Sequence, residues 1–197
     1  MTAKIRYLIV GTTLVAMLGL AYLSAPVLAG EGKDIPATVR KIAEMIKKKD
    51  DDGVKKTATA AAKNIEELPD LMHMFRPRNK GGLGIGEKPM ANPTKDGLEV
   101  YLRDLARDVP ATIAKQSEAL ETSGYWIAAM AELGHAKAPT KNMGKKTIKA
   151  WTDGMTDMRA AGIAFAKAAT TKGAQEIKTA AAKVNATCNN CHSVFKD

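Results

Sequence analysis

The stretch AQEIKTAAAKVNATCNNCHSVF, residues 174–195, decides the fold. It is rich in Ala and Lys, both good helix formers, and contains no Pro or Gly. Ile177, Ala181, Val184, Cys188 and Phe195 recur at helical spacing on one face. The segment before it, about 145–170, carries a second such stripe: Ile148, Trp151, Met155, Met158, Gly162, Phe165 and Ala169. A further helix is predicted from Asp34, a capping residue with Pro36 in the opening turn, to about Lys49. The run Asp50, Asp51, Asp52 and Gly53 breaks it. A second helix is then predicted over 53–75 on the stripe Val54, Ala58, Ala61, Ile65, Leu68, Met72 and Phe75, kinked at Pro69. Residues 76–96 read as a Gly- and Pro-rich loop. The run Gly82, Gly84, Gly86 reads as a flexible turn, since no strand precedes it. A third helical region is expected over about 97–135, divided near Pro110 with Asp108 as a cap. A turn carrying Pro139 follows. No segment alternates with period two, so no sheet is expected. The fold class is therefore all-α: an antiparallel four-helix-bundle-like protein with an additional inserted helical region over about 97–135.

Cys188, Asn189, Asn190, Cys191 and His192 form a C-x-x-C-H motif, which reads as a haem c attachment site. Two thiols three residues apart on a helix project to one side and reach the two vinyl groups of one haem. His192, four residues after Cys188, shares that face and offers an imidazole nitrogen to the iron. The stripe leading to Cys188 points the motif into the bundle. A thioredoxin-like dithiol would want the motif at a helix N-terminus, where the dipole favours thiolate. A zinc site would need a fourth ligand from His73, His135 or a carboxylate. A disulfide is sterically poor at this spacing in a regular helix.

The chain has 197 residues and one domain's worth of core-forming length. Two Cys exclude a disulfide-stapled scaffold and a metal site of three or four thiolates, and three His leave little material for a multi-histidine centre. Lys4 and Arg6, the apolar run Tyr7 to Leu23, and Val27-x-Ala29 have the three-part grammar of a signal peptide cleaved after Ala29. The expected product is a periplasmic domain over 30–197; the alternative is an uncleaved N-terminal membrane anchor. The net charge of +9 falls by two on cleavage. Export, and the lack of a clustered basic and aromatic surface, argue against nucleic acid. An acidic redox partner protein suits the charge better. Apart from the haem motif there is no acid-base or nucleophile constellation, so no enzyme is expected.

Most c-type cytochromes carry this motif early in the chain, whereas here it ends the chain. The sequence from Trp151 to Lys196 resembles class II c-type cytochromes, the cytochrome c-prime family. Trp151-x-Asp153, the Ala-rich approach, and Cys188, Cys191, His192, Phe195 and Lys196 carry the resemblance. Leu68-Pro69 resembles a dipeptide of the family's second helix. At the offset of a pocket-lining aromatic this chain has His73, flanked by Met72 and Met74. The family's distal position falls near Lys33 and Asp34, which offer no Met or aromatic. Residues 97–135, with Ser123 to Met130, look like an insertion beyond the family pattern. The resemblance implies one covalent haem c, His192 as proximal iron ligand, and in some members a homodimer through the early helices. It also implies either electron transfer at a six-coordinate iron or binding of a small gas such as nitric oxide at a five-coordinate one.

His73 is the candidate distal ligand or a boundary histidine, and Met72 is the alternative ligand or a core side chain. Met155 and Met158 lie at core spacing, and Met130 and His135 fall in the inserted region. Arg76, Arg78 and Lys80 are either a solvated basic loop or partners for haem propionates. Aromatics are only 5% of the chain. A buried porphyrin would supply the large flat apolar surface that they usually provide.

Overall fold

The computed structural model describes residues 34–171 and 173–196. The expected signal peptide, residues 1–29, and Lys33 lie outside them. Among the described residues there are seven α-helices: α1 (Ile35–Lys47), α2 (Asp51–Ala62), α3 (Leu68–His73), α4 (Leu98–Arg107), α5 (Ser117–Ala136), α6 (Ile148–Thr171) and α7 (Ala174–Phe195). Two short 3₁₀ turns lie at Arg78–Lys80 and Ile113–Gln116. Among the described residues there is no strand, only an isolated bridge between Met143 and Lys146. The all-α expectation holds. Among the same residues no helix is long and apolar enough to cross a membrane.

The caps are those the sequence announces. Asp34 Oδ1 accepts from the Ala37 N–H at 3.0 Å, and Asp50 Oδ1 from the Gly53 N–H at 2.9 Å. The predicted 53–75 helix is two helices rather than one kinked rod. It ends at Ala62, and Pro69 sits in the opening turn of α3. A proline there removes no helical hydrogen bond, whereas mid-helix it would strand the carbonyl four residues back. That carbonyl belongs to Ile65, and Lys137 Nζ donates to it. The break resets the buried face. Val54, Ala58, Ala61 and Ile65 are buried as expected, but beyond it Leu71, Met74 and Phe75 bury more fully than Leu68 and Met72. Asp108 stands at the end of α4 rather than at the start of the next helix.

The stretch read as an addition to the bundle contains its centre. Helix α5 packs against α1, α2, α3 and α6, while α7 lies against α4 and α6. Leu120, Ile127, Ala128, Ala129, Met130, Ala131 and Leu133 of α5 are wholly buried. The α5–α6 seam depends on small residues. A Cβ on Gly124 would stand 2.6 Å from the Ala166 nitrogen and 2.7 Å from the Gly162 oxygen. Both atoms are backbone and cannot step aside. Gly124→Ala is therefore expected to destabilise the fold by about 2 kcal/mol through overpacking. Gly154→Ala, on the same α6 but with open space at its Cβ, should stabilise by about 0.5–1 kcal/mol through helix propensity. Thermal unfolding of the two variants reads the difference in sign. Equal shifts would show that α5 and α6 do not approach this closely.

Candidate functional site

The motif occupies the last turns of α7. The buried stripe Ile177, Ala181 and Val184 runs out as it reaches Cys188. Cys188 and Cys191 are half-buried and not bridged to each other, and His192 is exposed. The motif thus sits at the rim of the core rather than pointing wholly inward, because α7 outruns the apolar face that covers it. Burial pushes the Cys188 thiol up to about 11, with the nearby Cys191 and the Glu99 carboxylate adding to the effect. Burial also raises Cys191. Neither thiol is therefore activated as the thiolate that a redox dithiol uses. Among the described residues no three His, Cys, Asp or Glu side chains form a group suited to a metal ion.

Two connections tie α3 to this end of the bundle. On one side Phe195, three residues beyond His192, packs edge-on against Trp151 with ring centroids 5.1 Å apart and planes at 88°. The Trp151 indole N–H donates to the Gly134 carbonyl at 2.8 Å. Lys137, just past α5, reaches the Ile65 carbonyl, and Ile65 borders a groove that also contains His73. On the other side the Glu99 N–H donates to the Phe75 carbonyl at 3.1 Å, and the Glu99 carboxylate acts on Cys188. Local packing thus brings the C-terminal motif and the Met72–Phe75 segment to one end.

The candidate ligands differ in placement. His73 is half-buried and lines a groove of about 510 Å³ with Ile35, Pro36, Ile65, Asp70 and Met74. No residue of α6 or α7 lines that groove. Met72 is half-buried and packs on the core. Met130, Met155 and Met158 are core side chains, and Met155 fills the space beside Gly134. His135 Nε2 lies 3.1 Å from the Thr156 hydroxyl.

The 76–96 loop is not a flexible turn. Asp96 is only 2% exposed and is its anchor. One carboxylate oxygen accepts from Arg78 Nε at 3.1 Å, the other from the Ile85 N–H at 2.8 Å. Arg78 Nη2 also donates to the Gly86 carbonyl at 2.9 Å. The Gly86 N–H donates to Ser123 Oγ, and the Ser123 hydroxyl to the Ala119 carbonyl. Gly86 has φ +63°, and a Cβ there would meet Ala119 at 2.6 Å, so this position requires glycine. Arg78 is thereby committed to the loop rather than left for a propionate. Arg76 is exposed, and Lys80 lines the His73 groove. Sequence reasoning missed Asp96 and Ser123. The available signal was an isolated Asp facing a run of basic residues across a loop.

No protein family, curated protein or solved structure matches this chain.

Proposed function

We propose that this chain is an exported monohaem c-type cytochrome of the class II kind that carries single electrons between periplasmic redox partners. The observation that supports it most is the C-x-x-C-H set on one face of α7, with both thiols half-buried and unbridged where the apolar stripe of the helix ends. Cys188 and Cys191 would hold the haem through thioether bonds to its two vinyl groups, the thiol hydrogens going to the same vinyls. His192 would supply an imidazole nitrogen to the iron. Helices α4 and α6 flank the motif helix and exclude water from its inner side. Arg76 and Lys80 offer cations to the propionates. Bound there, the haem iron supplies a one-electron couple. Met72 or His73 would be the second protein ligand in the electron-carrying form.

One observation favours a second reading. His73 faces a groove to which α7 contributes nothing. If that geometry persists in the haem-bound protein, the distal face stays open and suits a small gas such as nitric oxide.

Absorption and electron paramagnetic resonance spectra of the ferric protein separate the two. The electron carrier is low-spin, and its spectrum turns high-spin in His73→Ala or in Met72→Ala, whichever residue is the ligand. A ferric spectrum that is already high-spin, with a reduced form that shifts on adding nitric oxide, would overturn the electron-carrier reading.

A further inference from the structure

Between α5 and α6 the chain makes a loop, residues 137–147, that closes with Met143 and Lys146 exchanging backbone hydrogen bonds of 2.9 and 3.0 Å. Asn142 Oδ1 fastens the loop to α6 by accepting from the Ile148 N–H at 2.8 Å. The turn holds two apolar side chains in solvent. Met143 is 63% exposed and Ile148 38%, and they are the exposed large hydrophobics among the described residues. Lys141, Lys145, Lys146 and Lys149 flank them along the chain, and the one acid over 137–153, Asp153, pairs with Lys149. Glu66 and Asp70, which line the His73 groove, bound the patch beyond Lys137. The patch ends at Trp151, whose ring meets Phe195 of the motif helix.

We infer that this loop is the docking surface for an acidic redox protein. The inference rests on the electron-carrier reading and gives it a place on the surface. Lysines of one sign around a small apolar centre steer a negatively charged partner and then let it exclude water at the contact. The position suits the role, because the start of α6 beside the patch packs through Trp151 on Phe195 at the motif end of α7. Two exposed apolar side chains offer too little surface to insert into a bilayer, so a protein is favoured over a membrane. Such a contact is weak and salt-sensitive, as electron-transfer encounters are.

The test uses the full holoprotein and flavodoxin, an acidic one-electron flavoprotein, as probe. Binding is measured by isothermal titration at low ionic strength, and haem reduction by stopped flow. Lys141→Glu with Lys145→Glu should weaken binding and slow reduction by about tenfold or more. Lys167→Glu with Lys178→Glu makes the same charge change towards the other ends of α6 and α7, and should alter both by less than about twofold. High salt should erase the difference. Equal effects of the two pairs, or no binding by the wild type, would overturn the inference. So would lysine-dependent binding to phosphatidylglycerol vesicles with none to flavodoxin. The haem absorption of the same sample reports on the parent reading separately. Loop-dependent binding by a protein without haem would sink electron transfer while leaving an acidic-partner surface.

Discussion

Asp96→Ala is expected to cost the fold about 3 kcal/mol, at the lower end for breaking a buried ion pair. The carboxylate is almost fully enclosed, and its Arg78 partner keeps a quarter of its side chain exposed. That exposure lets water recover part of the guanidinium's loss, which sets the lower end. Ile85 adds to the cost, because its buried N–H loses its acceptor. Asp96→Asn keeps an oxygen for Ile85 and should lose roughly half as much. Urea unfolding reads both as a shift of midpoint at constant slope. A loss below about 1 kcal/mol for Asp96→Ala would mean that the latch does not hold the loop. Loosening it should also loosen the Phe75–Glu99 connection, so hydrogen exchange at Glu99 should quicken in the same variant.

That loop marks where reading the chain reached its limit. Helical stripes made α6 and α7 visible, because each buries a face of regularly spaced apolar residues, and the Asp34 cap with Pro36 behind it marked α1. The 76–96 loop has no period. Its order comes from Asp96 meeting Arg78, Ile85 and, through Gly86, Ser123, and nothing local announces such contacts. The join of α2 to α3 failed differently. The apolar spacing continues across Pro69, but spacing does not register that Ile65 would be left with an unpaired carbonyl. Helix α5 was undervalued because Gly124, Ala128, Ala129 and Ala131 share its buried surface with Leu120, Ile127, Met130 and Leu133. Small residues give a weak hydrophobic signal and allow the closest approach. At the site, the motif and its helix were legible at once. The partial exposure of Cys188 and the full exposure of His192 were not, since they depend on how far α7 outruns the helices that cover it.

The second large expectation concerns attachment. Cys188→Ala together with Cys191→Ala should abolish covalent haem altogether, because no other thiol exists in the chain. Either single substitution leaves one thioether and a haem that still migrates with the denatured protein. His192→Ala leaves both sulfurs but removes the imidazole, so the haem stays attached while the ferric spectrum and the potential change. The double variant should also unfold at lower temperature than the wild type, since the fold loses the apolar surface that a porphyrin packed on the bundle would bury. If the double variant kept a haem through denaturation, the site would lie elsewhere.

The most direct measurement is made on wild-type protein exported in a host that matures c-type cytochromes. The purified chain is denatured in acid and detergent, separated from small molecules, and examined for haem absorbance and intact mass. One haem per chain, released by neither treatment and carried by a peptide containing Cys188 to His192, is the predicted result. A colourless chain with two alkylatable thiols would contradict the account.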